Sequence, residues 1–150
     1  MRKPTVHYTF HLTNTSGLSN LLTGQAHLEG VIKHHEIENL DIVTCGPIPP
    51  NPAELLGSNR MEKIIGDLKE KYDMIIFDAP PVLSVTDAQI LSNLCDGTVI
   101  VLSAGKTQKD ALLKAKEALI ASKANILGVV LNNYVLQKDH YYYQYYGVEE

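Results

Sequence analysis

From about position 40 onward, short unbroken apolar runs alternate with stretches of helical spacing, whereas the first forty residues show neither pattern and read as short helices and loops. Residues 40–45 form a short apolar run closed by Gly46-Pro47. Pro47, Pro49, Pro50 and Pro52 then deny the backbone its donors until a helix can begin. From Asn59, the residues Met61, Ile64, Ile65, Leu68 and Tyr72 recur on one helical face, and Asn59 with Glu62 makes a capping pair. Met74-Ile75-Ile76-Phe77, ended by Asp78, has the pattern of a strand buried on both faces and is expected centrally in a sheet. Thr86 with Gln89 opens a helix to about Leu94, and residues 98–102 are another buried β-branched run. Thr107 opens a helix through about Lys123 that turns Leu112, Ala115 and Leu119 inward, and residues 126–131 supply a last strand before Asn132-Asn133. Four strands separated by helices imply an α/β fold with a parallel sheet and right-handed crossovers.

Length and charge narrow the functions open to such a fold. At 150 residues the chain suits one domain, and 45% apolar with 20% charged residues is a globular composition. A net charge of -4 offers no basic field for a phosphate backbone, so nucleic acid is not an expected partner. Cys45 and Cys95 sit in apolar surroundings without a C-x-x-C pattern and read as buried thiols of a reducing, cytoplasmic compartment. No apolar run approaches membrane-spanning length. The end of the chain differs from the rest: HYYYQYYGVEE places five of eight tyrosines between positions 141 and 146, with no apolar periodicity. This segment is expected to be a flexible tail.

Asp78 is the most informative single position. Ligands of open α/β sheets sit off the carboxyl ends of strands, where a carboxylate can hold Mg²⁺ beside a nucleotide phosphate. The alternative is an Asp that ends a strand and caps the next turn. Pro80-Pro81 would stiffen the loop holding it, and Asp87 either approaches the same edge or serves the helix dipole. A phosphate cradle carries the pattern G-x-x-x-x-G-K-[ST]. The only G-K-T, Gly105-Lys106-Thr107, fails because its first glycine would fall on Ile100, and a turn with Thr107 as N-cap explains it without a ligand. His7 and His11 are four apart but lack an assured helix, so they read as surface histidines rather than metal ligands. No serine stands in a nucleophile elbow. The tyrosine cluster reads either as an exposed docking patch or as a set of phenols reaching another subunit's site, where each added phosphate brings about -1.5 to -2 charges.

Taken together, IIFDAPP, LGVVLNN and YYYQYYG, with RKPTVHYTF, TSGLSNLLTG and PIPPNPAELLGS, resemble the cytoplasmic catalytic domain of bacterial tyrosine kinases, the BY-kinases of capsular and exopolysaccharide operons. The resemblance runs over essentially the whole chain. It implies a P-loop NTPase-like (MinD/ParA-like) parallel sheet with flanking helices, incomplete at the N-terminus, in a partial kinase domain over residues 1–136 followed by a tyrosine tail over 137–150.

By the same resemblance the activity is ATP- and Mg²⁺-dependent protein-tyrosine autophosphorylation that regulates polysaccharide synthesis. Asp78 becomes the Walker B aspartate at the metal, and Asn132 and Asn133 line the adenine side. Tyr141, Tyr142, Tyr143, Tyr145 and Tyr146 become phosphoacceptors used in trans within a ring of copies. The implied partners are a membrane-embedded polysaccharide co-polymerase that activates the kinase, recruiting it to the inner face of the cell membrane, and a tyrosine phosphatase. Members of the family carry a P-loop and a D-x-D strand upstream of R-K-P, whereas this chain begins at Met1-Arg2-Lys3-Pro4. Without those groups little activity is expected of this polypeptide alone, because phosphoryl transfer rests on positioning and electrostatic stabilisation. Two alternatives remain: a non-catalytic phosphoacceptor or interaction module, and a MinD/ParA-type ATPase. Loss of central strands would also leave apolar sheet surface uncovered.

Overall fold

A computed structural model describes residues 4–135 as a mixed α/β unit, with six helices and four strands among them. The elements are α1 (Val6–Thr9), α2 (Leu18–Thr23), β1 (Ile32–His34), β2 (Asp41–Val43), α3 (Pro52–Leu56) and α4 (Asn59–Lys69), followed by α5 (Asp87–Leu94), β3 (Thr98–Ser103), α6 (Lys109–Ala121) and β4 (Ile126–Asn132). A single 3₁₀ turn, Leu28–Gly30, precedes β1.

The core forms where the apolar faces of the first helices meet. Leu21 and Leu22 of α2, Leu56 of α3, Met61, Ile64 and Ile65 of α4, and Leu91 of α5 pack together around Val31. The spacing of Met61, Ile64 and Ile65 brings them onto one face of α4, as the sequence pattern requires. The cap lies one residue earlier than expected. Ser58, not Asn59, stands at the N-cap, its hydroxyl accepting the Met61 N–H at 3.4 Å. Tyr72 lies beyond the helix end, and its hydroxyl reaches Asp41 on β2 instead.

Strand pairing departs from the sequence expectation. β3 and β4 form the expected parallel pair, in register from Val99↔Gly128 to Ser103↔Asn132. The run at 40–45 does give β2, but β2 pairs antiparallel with β1, so the two make a separate small sheet. β1 was missed because three residues, Ile32-Lys33-His34, are too few for an alternation to register.

Residues 74–77 join no ladder among the described residues. The segment is extended with one side in and one side out: Phe77 packs on the core, while Met74 is 76% and Ile76 81% exposed. An apolar run records that each side chain favours burial, but a strand buried on both faces also needs neighbours on both edges. The run at 98–102 is likewise one-sided. Ile100 is buried, whereas Val99 and Val101 of β3 and Val130 of β4 are exposed on the uncovered face of the pair. The uncovered apolar sheet surface expected from the resemblance is therefore present.

The helix starts also need correction. Thr86 occupies the N-cap of α5 without a side-chain cap bond. α6 begins at Lys109 behind Gln108, and Thr107 instead accepts the Ser103 N–H through Oγ1 at 2.9 Å. Leu119 is the fully buried residue of α6; Leu112 and Ala115 are half-buried. Both cysteines are free and half-buried rather than buried, and burial pushes each thiol up from its ordinary value.

Candidate functional site

Because β3 and β4 run parallel, their carboxyl ends fall at one edge, and Ser103 and Asn132 stand in register there. The carbonyl of Asn132 accepts the Ala104 N–H at 2.8 Å, and its side-chain oxygen accepts the Asn133 N–H at 2.8 Å. Asn133, at φ 57, uses its side-chain amide to donate to Ser103 Oγ at 3.0 Å. Asparagine tolerates that left-handed conformation better than most residues. Both asparagines are exposed at the strand end where an α/β sheet takes its ligand.

The turn after β3 is closed on itself. The Ser103 carbonyl accepts from Lys106 N–H at 3.1 Å and from Thr107 N–H at 2.9 Å, with Gly105 at φ 69. Those amides point back into the turn, so they cannot cradle a phosphate, which agrees with the rejection of Gly105-Lys106-Thr107 as a P-loop.

Asp78 is exposed at the end of the extended 74–77 segment, ahead of Pro80-Pro81 and the turn in which Ser84 N–H donates to the Pro81 carbonyl. No hydrogen bond or ion pair joins Asp78 to Asn132 or Asn133 among the described residues. No cluster of three or more His, Cys, Asp or Glu able to cage a metal occurs among them either. One accessible carboxylate suits Mg²⁺ carried on a nucleotide, because that ion keeps several waters and takes one or two carboxylates along with substrate phosphates. Asp87 stands in the first turn of α5, wholly buried. His7 lies within α1, but the helix stops at Thr9 and His11 takes φ 52, so the i, i+4 face that two ligands would need does not form. The five tail tyrosines, Tyr141, Tyr142, Tyr143, Tyr145 and Tyr146, lie outside the described residues.

A second polar region was not foreseen. Gly17 packs directly on the chain at 44–46: Leu18 N–H donates to the Thr44 carbonyl at 2.8 Å and Ser19 N–H to the Cys45 carbonyl at 2.9 Å. Asn14 clamps Gly46 from both sides, accepting from its N–H at 2.9 Å and donating to its carbonyl at 3.1 Å. Beneath this junction the Lys33 ammonium donates to Thr13 O at 2.6 Å, Ser16 O at 3.2 Å and Thr44 Oγ1 at 2.6 Å. Partial burial lowers its pKa, because desolvation disfavours the ammonium. At the outer side of the hairpin, Asp41 accepts from Tyr72 Oη at 2.6 Å and meets His34 Nδ1 at 2.5 Å. Tyr72, then His34, hold the Asp41 carboxyl below its usual range, and the same bond pushes Tyr72 up to about 12. The only sequence signal for the junction was a pair of glycines, Gly17 after the polar run at 13–16 and Gly46 before the proline-rich stretch at 47–50.

A parallel strand pair flanked by helices, with polar residues at its carboxyl ends, defines an α/β protein. A family model described as an AAA domain matches residues 5–111, and the chain belongs to that family. It is homologous along its length to bacterial tyrosine-protein kinases. It is 48% identical over 150 residues to the tyrosine-protein kinase YwqD of Bacillus subtilis (strain 168), covering all of this chain and 63% of that protein. It is 44% identical over 147 residues to the putative tyrosine-protein kinase CapB of Staphylococcus aureus, covering 98% of this chain and 64% of the relative. Among solved structures, the kinase domain of the Escherichia coli tyrosine kinase ETK superposes with a TM-score of 0.87 at 32% identity, covering 91% of this chain and 53% of that one. The chimerical protein CapA2B2 does so at 0.85 with 44% identity, covering 89% and 59%. The resemblance to bacterial tyrosine kinases is thus borne out, and the chain spans less than two thirds of those relatives. No described helix is long and apolar enough to cross a membrane.

Proposed function

We propose that this chain forms part of an ATP- and Mg²⁺-dependent protein-tyrosine autokinase that regulates capsular or exopolysaccharide synthesis. The observation that carries the reading is the 48% identity over all 150 residues to a tyrosine-protein kinase. Residues 1–136 belong to the kinase domain and 137–150 to the acceptor tail. Asp78 coordinates the metal on the bound nucleotide, and Asn132 and Asn133 line the side of the base. Mg²⁺, when bound, neutralises charge on the transferring phosphate. The side chain of Asp78 orients that ion, and its exposure at the end of an extended segment supports the role. Tyr141, Tyr142, Tyr143, Tyr145 and Tyr146 accept phosphate from neighbouring copies in a ring. A membrane-embedded polysaccharide co-polymerase is the activating partner that brings the kinase to the inner face of the membrane, and a tyrosine phosphatase reverses the modification.

The turn at 103–107 spends its amides on Ser103, and no other P-loop pattern occurs in the sequence, so the chain alone transfers little phosphate. That favours a second reading in which this polypeptide serves as an acceptor for an intact kinase. Intact-mass measurement after incubation with ATP and Mg²⁺, with and without a catalytic amount of a complete kinase of the family, tests both. Phosphate is expected only when the complete kinase is present, and is expected to disappear when all five tail tyrosines are replaced by Phe. Phosphate added by the chain alone would overturn the account of the missing cradle. No phosphate under either condition would overturn the kinase-substrate reading.

A further inference from the structure

Where the end of α2 and the stretch 26–28 face α4 lies an open cavity of about 230 Å³. Its floor is apolar, from Leu21, Leu28 and Ile64, and its rim carries Arg60 and Lys63 of α4 with His27 opposite. The two α4 cations are three positions apart, so they project from one side of the helix with their Cβ atoms about 5–6 Å from each other. Arg60 is anchored. Its Nε donates to the Leu21 carbonyl at 2.5 Å, and its guanidinium lies against Gly24, where φ is 79 and an added Cβ would come 3.2 Å from Nη1. No carboxylate pairs with Arg60 or Lys63 among the described residues. The acid of the rim is Asp67, one turn beyond Lys63 and joined to neither cation, while Glu29 on the His27 side is taken by Lys71 at 2.8 Å.

Two uncommitted cations above an apolar floor select an anion with an apolar body. An anchored guanidinium loses little freedom when its remaining N–H groups take two oxygens of one planar or tetrahedral anion, and the ammonium adds a point charge beside it. The cavity is smaller than the roughly 300–1,000 Å³ of sites for drug-sized molecules, so it suits a single side chain rather than a nucleotide. An Asp or Glu side chain would leave the floor uncovered, and an unmodified tyrosine would leave the cations unmatched. A phosphotyrosine side chain satisfies both, with a ring for Leu21, Leu28 and Ile64 and about -1.5 to -2 charges for Arg60 and Lys63.

We propose that this cavity is a phosphotyrosine-binding site, the phosphate held by Arg60 and Lys63 and the ring lying on the apolar floor. Arg-based capture of a phosphorylated side chain is a general recognition mode, and here it would let the chain hold the product of tyrosine phosphorylation away from the strand ends. The choice of phosphotyrosine over another aryl phosphate rests on the kinase reading, but the binding itself needs neither nucleotide nor transfer.

The test titrates the full chain with N-acetyl-phosphotyrosine amide while NMR follows the amides of Gly24, His27, Leu28 and Lys63 and the Arg60 Nε–H. Saturable shifts centred on these groups are expected, with at least tenfold weaker binding of N-acetyl-tyrosine amide, which lacks the charge, and of inorganic phosphate, which lacks the ring. Lys63→Ala should weaken phosphotyrosine by about three- to tenfold, and Arg60→Lys, which keeps the charge but loses the fork, by at least as much. Because Arg60 also holds the end of α2, Lys63→Glu at an exposed position is the deciding variant and should abolish binding. No saturable shifts at these groups, or undiminished binding by Lys63→Glu, overturns the assignment; inorganic phosphate binding as tightly as phosphotyrosine would mark an adventitious anion only and overturn it too. Phosphotyrosine binding without any phosphate transfer in the mass experiment would sink the kinase-substrate reading alone, whereas transfer without phosphotyrosine binding would sink only this one.

Discussion

Replacing Gly17 by alanine should destabilise the protein far more than its small volume suggests. A Cβ at this position would lie well inside contact distance of the Thr44 carbonyl oxygen, 2.5 Å from the Gly46 nitrogen and 2.7 Å from the Thr44 carbonyl carbon. All three are backbone atoms of one segment, so no side chain can swing away to make room. Relief requires that 44–46 and the start of α2 separate, which breaks the bonds from Leu18 N–H at 2.8 Å and Ser19 N–H at 2.9 Å. Each bond contributes about 0.5–1.5 kcal/mol and overpacking costs about 1–3, so the expected loss is about 2–6 kcal/mol. Urea denaturation of Gly17→Ala against wild type measures it. Gly66→Ala is the control: that glycine lies inside α4 with open space around its Cβ position, and the change should stabilise by about 0.5–1 kcal/mol. A loss below about 1 kcal/mol for Gly17→Ala would show that the two segments do not approach as described.

Four further predictions follow from the same structure. Tyr72→Phe removes the bond to Asp41 and should cost about 0.5–1 kcal/mol at neutral pH. Because folding raises the Tyr72 pKa from about 10 to about 12, this contribution is fully present below pH 10 and is lost as pH rises toward 12, so the gap between the two proteins should close over that window in thermal melts. At the acid end the sign reverses. Asp41 is held below its usual range, so the stability it contributes is present above its unfolded pKa and is lost as pH falls through the folded value, an effect that Asp41→Asn should remove. Lys33→Met removes the ammonium from the oxygens of Thr13, Ser16 and Thr44 and should cost about 1–3 kcal/mol in denaturant unfolding, with faster amide exchange at Leu18 and Ser19; unchanged exchange there would refute its role as a clamp. Met61→Ala, at a wholly buried position where four helices meet, should cost about 2–5 kcal/mol by calorimetry or urea, and a loss near zero would mean the α4 face is not core.

The helices were legible because each carries its own evidence. The periodic face of α4 and the positions of α5 and α6 follow from local spacing, and the β3–β4 pair from two β-branched runs either side of a helix. The asparagines at 132 and 133 were also legible as strand-end polar residues and the tyrosine run as composition, whereas Asp78 follows an apolar run that pairs with no strand among the described residues. What stayed hidden was whatever depends on a partner distant in the chain. Whether 74–77 lies in a sheet depends on neighbours that the run itself cannot supply, and its alternating exposure records their absence among the described residues. The pairing of β1 with β2, Lys33 beneath Thr44, and Tyr72 on Asp41 join residues between 7 and 31 positions apart, beyond the reach of any local pattern. The sequence by itself determined the α/β class and the helical core faces, because side-chain chemistry and periodicity are local properties, and its motifs carried the resemblance to tyrosine kinases. Tertiary structure alone decided which apolar runs find partners, where backbone approaches so closely that only glycine fits, and which side chains of separate segments line one cavity, because each of these is settled by the geometry of segments brought together from far apart.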